Sequence, residues 1–396
     1  MSISTERNPE LDDRTRSPRL SDRIARVQVH HLRGQLREPF GWSLNWTNER
    51  RATLVEVTTR EGLTGWGDGA CPTELLREQP DLVLGRSPFE VEGIFESLRE
   101  PSTLQRRRGE SICGGLDMAL WDLQGQILNR PVCEILGRVH RRRVRPYCTA
   151  LYRKNWPDLH AGLAEEAQHF VRRGFRTIKM KIGFGQEEDV AAVRAVRKAI
   201  GDGVGLAVDS NCAYDASAAM SLSRRLEQFD LLWWEEPLLA NDYVGYERLH
   251  QATRIPLASG ETLGVDQIVR DYVQPRVVDI VQPEVELVGL TGARRISQAA
   301  WLNHVRVIPH NWSTAIRTAA ILHWMATVAP LTEALRASEE TFELDCTEHP
   351  FRDQVVASPP QPGEDGMLPV PDGPGLGIAV LPHVISEFRT QLITVS

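Results

Sequence analysis

Six titratable residues recur along this chain at a nearly constant interval, and each lies at the end of a short apolar run. Lys181 ends "FRTIKMKIG", Asp209 "GLAVDSN", Glu235 "LLWWEEP", Glu261 "IPLASGE", Glu284 "VVDIVQPEV" and His310 "VRVIPHNW". The gaps between them are 28, 26, 26, 23 and 26 residues, about one strand–helix unit each. Amphipathic segments such as "DLHAGLAEEAQHFVRRG" and "EEDVAAVRAVRKAIG" fill the intervals. The apolar runs do not alternate with polar residues, as expected for parallel strands buried on both faces. Repeated units of this kind from about Val144 predict a (β/α) barrel. In a barrel all six side chains converge on the C-terminal mouth, where active sites form. An open doubly wound sheet is the alternative. No GxGxxG follows its first strand, which argues against dinucleotide binding.

Three carboxylates in register on consecutive strands would repel one another at barrel depth unless a cation or proton sat among them. Oxygen ligands with room for water and substrate suit Mg²⁺. Lys179 and Lys181 lie two residues apart on one strand, so both face the barrel interior, with Ile178, Met180 and Ile182 directed outward to the helices. They are half of the chain's lysines; the others are Lys154 and Lys198, and the remaining 42 of 46 basic residues are arginine. Burial beside a second cation is expected to push the Lys181 pKa down towards that of a usable base. Arginine cannot do this, because it does not deprotonate in proteins. The chemistry that needs these parts is removal of a proton next to a carboxylate.

The chain ahead of the barrel reads differently. "MSISTERNPELDDRTRSPRLSD" is polar and aperiodic, and residues 1–22 are expected to be a disordered tail. "RIARVQVHHL" and "RATLVEVTTREGLTGWGD" read as strands with a turn at Glu61-Gly62. Ile112, Leu116, Ala119, Leu120 and Leu123 recur at helical spacing before Pro131. Strands followed by helix suggest an α+β unit over residues 23–143.

Net charge is −7, and no basic stretch is long enough for a nucleic-acid footprint; "QRRR" (105–108) and "HRRRVR" (140–145) read as solvated surface. Six scattered cysteines without a CxxC pair fit reduced thiols in a cytoplasmic protein. No run of about 20 apolar residues suggests a membrane span.

The chain resembles the enolase superfamily, in its mandelate racemase / muconate lactonising branch, over almost everything from Arg23 onward. "LVEVTTREGLTGWGD" and "GLDMALWDLQG" resemble the capping-domain signatures. "KMKIG" resembles the KxK base motif, "VDSN", "WWEEP" and "SGET" the metal-ligand strands, and "VIPHNW" the histidine strand. "PDGPGLGI" resembles the C-terminal return. The resemblance implies a modified TIM (β/α)7β barrel over 144–362, an α+β N-terminal capping domain, and a segment from Gly363 to 396 that returns to the cap. It implies Asp209, Glu235 and Glu261 as Mg²⁺ ligands, with Asn211 and Glu236 as neighbours behind them. Lys181 would be the base and Lys179 its tuner and a contact to the substrate carboxylate. His310 would be acid or base on the opposite substrate face, and Glu343 a hydrogen-bond partner of the developing enediolate. It further implies a small-molecule carboxylate substrate and a homo-oligomer.

Two departures bear on the reaction. The histidine's partner is usually an aspartate; here it is Glu284, followed by one residue fewer than the usual double-glycine turn. Whether so long a carboxylate on a shifted backbone reaches His310 is left open by the sequence, and a weakened partner argues against a racemase. No lysine follows Lys198, so a second lysine base is absent. Trp42, Asn45 and Trp46 in "PFGWSLNW", with Asn311 and Trp312, suit a polyhydroxy acid; the alternative is that both tryptophans staple cap to barrel. The leading expectation is a sugar-acid dehydratase, then an aldarolactone cycloisomerase or a racemase/epimerase, and remotely a non-catalytic barrel.

Overall fold

The computed structural model of the chain describes residues 20–43, 45–99, 113–332 and 342–396. Residues 1–19 of the expected tail, the run 105–108 and Ile112 lie outside the described residues. The last residue assigned to the tail does not behave as disordered. Asp22 is buried and accepts from the amides of Arg23 at 2.8 Å and Glu61 at 3.2 Å, so it belongs to the cap.

Long strands β1 (Ile24–Trp42) and β2 (Asn45–Thr59) pair antiparallel, and β2 pairs with β3 (Thr64–Asp68). The Glu61-Gly62 turn is present, with Gly62 at φ 86°. Ile24, Val27, Val29 and Leu32 are buried, as are Leu54, Val55 and Val57. The helix Gly114–Leu128 covers this sheet and ends at Asn129, which takes the left-handed conformation at φ 52°. Helix and sheet touch through glycine. A Cβ on Gly67 would stand 1.9 Å from the Gly115 carbonyl oxygen, so no larger residue fits there.

Next come β4 (Arg143–Val144), β5 (Pro146–Thr149), β6 (Thr177–Lys181), β7 (Gly205–Asp209) and β8 (Leu231–Glu235). These are followed by β9 (Leu257–Ser259), β10 (Ile280–Val281), β11 (Arg306–Val307) and β12 (Phe342–Asp345). Eight of them form one parallel sheet in the order β11-β10-β9-β8-β7-β6-β5-β12. The last strand, β12, lies beside the first, β5, which is the (β/α)7β arrangement. Across the remaining seam, Asn311 after β11 bonds Glu343 of β12. Its amide N–H donates to Glu343 Oε2 at 2.9 Å, and its side chain donates to the Glu343 carbonyl at 3.1 Å.

Tyr147, Ala207, Trp233, Ala258, Ile280 and Ile308 fill the barrel interior as a separate apolar cluster. Ile178, Met180 and Ile182 join the outer core against the helices. Barrel helices start at capping side chains: Asp158, Asp215 and Asp242 each accept from a backbone amide of the first turn.

Cap and barrel are joined at several points. Asp117 of the cap accepts from the Thr291 amide at 3.0 Å and its hydroxyl at 2.5 Å, where the helix Val285–Leu302 breaks at Gly289 (φ 63°). The chain then forms β13 (Leu368–Pro369) against β4, and β14 (Arg389–Val395) joins the cap sheet beside β1. Among the described residues no helix is long and apolar enough to cross a membrane.

Candidate active site

The two-residue period of β6 turns Lys179 and Lys181 into the barrel, Lys179 over the Tyr147 ring at 5.8 Å. Parallel register aligns Lys181 with Asp209 and Asp209 with Glu235. Lys179 Nζ lies 2.5 Å from Glu235 Oε1, 2.8 Å from Glu343 Oε1 and 3.7 Å from Asp209 Oδ2. Lys181 Nζ donates to Asp209 Oδ2 and stands 5.2 Å from the Tyr152 ring. The carboxylates have further donors. Glu235 Oε2 accepts from Gln282 Nε2 at 2.6 Å and Trp233 Nε1 at 3.2 Å. Asp209 Oδ1 accepts from the Asn211 amide at 2.8 Å, and Glu343 Oε1 from the Thr149 hydroxyl at 2.6 Å.

On the other side of the mouth, His310 and Glu284 form a bridge between the ends of β11 and β10. The question the sequence left open is answered: Glu284 Oε2 lies 2.5 Å from His310 Nδ1. Nε2 faces Glu261 Oε2 at 3.5 Å. Thus Lys181, Lys179, Asp209, Glu235, Glu343, Glu261, His310 and Glu284 are gathered at one end of the barrel.

The expectation that the Lys181 pKa falls is not met. Burial lowers it, but the adjacent Asp209 carboxylate raises it more than Lys179 lowers it, and the net shift is upward. The same contacts act on Asp209: burial opposes ionisation, yet Lys181 and Lys179 hold it down to about 2. Glu235 is pushed up to about 8 by burial, with Lys179 opposing and Asp209, Glu343 and Glu261 adding repulsion. Burial would lower His310, but Glu261, Glu284 and Glu343 raise it to about 10.

Among the described residues no three His, Cys, Asp or Glu side chains stand close enough together to hold a metal ion as they are. Asp209 and Glu235 instead accept from Lys181 and Lys179. The donor set nonetheless suits a hard cation, being carboxylate oxygen throughout. Glu236 Oε1 and Asn211 Oδ1 are buried beside this set without a hydrogen-bond partner. Asn211, Cys212 and Glu236 also hold positive φ (43°, 62° and 41°) immediately after β7 and β8, a backbone strain typical of functional sites.

The cap closes over the mouth through Trp42 and Ser43. The Ser43 hydroxyl donates to the Ser210 carbonyl at 2.7 Å. Trp42 meets Trp312 edge-on at 5.7 Å, and the Arg50 guanidinium lies 3.8 Å over the Trp312 ring. An open cleft of about 510 Å³ is lined by Trp42, Ser43, Asn45, Trp46, Arg153 and Phe184. Trp46 is 43% exposed there. Asn311 is buried, and its side-chain amide donates to the Glu343 carbonyl at 3.1 Å and the Thr318 hydroxyl at 3.3 Å, which ties the ends of β11 and β12 together.

Sequence reasoning missed Gln282, Thr149, Tyr152 and Arg317. Gln282 lies two residues after the interior Ile280, and that alternation was the available signal.

Comparison with known proteins agrees with this architecture. Residues 24–137 match the mandelate racemase / muconate lactonizing enzyme N-terminal domain, and residues 162–384 the enolase C-terminal domain-like family. The chain is 33% identical to a D-galactarolactone cycloisomerase of Agrobacterium fabrum, over 93% of this chain and 99% of that one. An arabinonate dehydratase of Saccharolobus solfataricus is 29% identical over 85% of this chain and 90% of its own. The solved 3,6-anhydro-D-galactonate cycloisomerase from Zobellia galactanivorans superposes with a TM-score of 0.80 and 32% identity, covering 93% of this chain and 100% of that one. A Streptomyces coelicolor racemase solved with bound magnesium has a TM-score of 0.78 and 25% identity, covering 93% of this chain and all of that one. The chain is therefore a member of the mandelate racemase / muconate lactonizing enzyme family of the enolase superfamily.

Proposed function

We propose that the protein catalyses β-elimination on a sugar-derived carboxylic acid, begun by removal of the proton α to the carboxylate. The observation that carries this reading is the pair Lys181 and His310. They come from strands five places apart in the sheet, yet both contact the same group of carboxylates, Lys181 at Asp209 and His310 at Glu261.

Asp209, Glu235 and Glu261 would hold Mg²⁺, with Asn211 and Glu236 behind them. A cation there would withdraw charge from a bound carboxylate and acidify its α-proton, as is general in enolase-superfamily chemistry. Lys179 holds Glu235 and Glu343 in place and is poised to meet the substrate carboxylate. The α-C–H bond breaks towards Lys181 Nζ, and Glu343 orients the reacting group. His310, steadied by Glu284, gives a proton to the departing β-oxygen as the C–O bond breaks. Trp42, Asn45, Trp46 and Trp312 form the wall at the cap, while Asn311 braces the barrel seam.

In an open-chain acid the β-oxygen leaves as water, and the enzyme is a dehydratase. If that oxygen belongs to a ring it stays attached, and the product is an isomer. The second reading is favoured by the names of two relatives, at 33% and 32% identity, both cycloisomerases.

The test is a panel of aldonic and aldaric acids, their lactones and their anhydro forms, incubated with Mg²⁺ in D₂O. Apart from the deuterium taken up from solvent, a product lighter by one water marks a dehydratase, and a product of otherwise unchanged mass an isomerase. If the protein binds Mg²⁺ but no acid loses its α-proton, the catalytic reading fails.

A further inference from the structure

Arg317 lies in the first turn of the helix Ala315–Thr327, shortly after His310, and is 4% exposed. Its guanidinium serves three carboxylates at once. Nη1 pairs with Glu284 Oε1 at 3.0 Å. Nη2 donates to Asp68 Oδ1 at 2.9 Å and Glu286 Oε2 at 2.7 Å, and Nε donates to the Asp68 carbonyl at 3.1 Å. Asp68 is the last residue of β3, in the cap. Its other oxygen, Oδ2, accepts from the amide and hydroxyl of Thr314, at 2.9 and 2.6 Å, and Thr314 caps the helix that carries Arg317.

These contacts decide how Glu284 presents itself. Oε1 is occupied twice, by Arg317 and by the Glu286 amide at 3.0 Å. Only Oε2 is left for His310 Nδ1. A glutamate has one more rotatable bond than an aspartate, and a free carboxylate on that longer arm would sample several positions. A planar fork that fixes one oxygen removes that freedom. A lysine could not replace it, because a single ammonium cannot hold Asp68 and Glu284 in these directions together.

We propose that Arg317 is a positioning residue for His310: by pinning Glu284 Oε1 to Asp68 of the cap, it aims Oε2 at Nδ1 and turns Nε2 towards the mouth. The chain Asp68–Arg317–Glu284–His310 makes cap docking and imidazole orientation one construction. The inference rests on the reading of His310 as a group that faces substrate, but the orientation can be measured without any substrate.

The experiment uses the full chain with ¹⁵N-labelled histidine rings at one near-neutral pH, with no metal or ligand added. His310 is assigned by the signal lost in His310→Gln. The native chain should show a ring Nδ1 proton protected from exchange with water. Arg317→Met should lose that protected proton while remaining folded. Arg317→Lys, which keeps the buried positive charge, should lose it too, and carries the test if the methionine variant does not fold. An unchanged His310 signal in either folded variant overturns the proposal. Loss of the proton, together with undiminished α-proton exchange in His310→Gln, would sustain the positioning role and remove His310 from the chemistry.

Discussion

Glu284 and His310 face each other across the ends of β10 and β11, with carboxylate oxygen and imidazole Nδ1 2.5 Å apart. The shorter, more usual aspartate is replaced without loss of contact. Burial alone would raise the Glu284 pKa, but Arg317 and His310 hold it down to about 2, so it is ionised wherever the protein is folded near neutrality. Glu284→Gln keeps the size and removes the charge. It is expected to lower kcat about 10- to 100-fold with little change in KM, the usual cost of losing the partner that orients a functional imidazole. Steady-state kinetics on the substrate found in the acid panel checks this; an unaltered kcat would leave the contact structural.

Lys181 is held protonated by Asp209 in the chain as described, so it can act as a base only when that carboxylate's charge is taken up elsewhere. A divalent cation on Asp209 would do this. Lys181→Met should therefore reduce α-deuterium exchange by about a thousandfold, the middle of the range for a general base. Lys181→Arg should do no better, because guanidinium keeps its proton. Exchange that survives both changes would move the base role to His310.

The regular spacing of Lys181, Asp209, Glu235, Glu261, Glu284 and His310 made the barrel and its mouth legible, because parallel strands repeat one address per unit. The cap was legible in its turn at Glu61-Gly62 and its helix before Pro131. Three things were not. The contact of Glu284 with His310 depends on Arg317, which lies on another helix and is anchored in another domain. The seam role of Asn311 depends on which strand β12 joins. The charge state of Lys181 depends on distances to carboxylates that sequence places in register but not in contact. Each is a property of tertiary approach, and no local pattern encodes it.

Metal binding should appear as stability before it appears as activity. The mouth carries Asp209, Glu235, Glu343 and Glu261 against two lysines, and their repulsion contributes to the raised Glu235 pKa. A ligand bound only by the folded state stabilises by roughly 2.7 kcal/mol at about a hundred times its Kd. Mg²⁺ should therefore raise the thermal midpoint by a few degrees, and chelation should reverse it and abolish turnover. Glu235→Gln should lose the Mg²⁺ response. A midpoint indifferent to Mg²⁺ in the native chain would count against a bound cation.

His323 sets an acid limit on the fold independent of the site. It is fully buried in the helix Ala315–Thr327, where it joins cap, barrel and C-terminal return. Its Nδ1 accepts from the Cys133 amide at 3.2 Å, and its Nε2 lies 3.1 Å from the Leu376 carbonyl. Both contacts need the neutral ring with its proton on Nε2. A proton on Nδ1 would set two N–H groups against each other. Burial, and to a lesser degree Arg142, depress the folded pKa from 6.5 to about 4, with the Leu376 carbonyl opposing. The sign follows. In the unfolded chain the ring takes up its proton near 6.5, whereas in the folded chain it does so only near 4. The stability from this residue is complete above about 6.5 and is lost as pH falls towards 4, up to about 3 kcal/mol. Urea unfolding between about pH 7 and about pH 4.5 should show that loss in the native chain. His323→Gln should be less stable at neutral pH but flatter across the window. Parallel slopes in the two proteins would show that other groups govern acid unfolding.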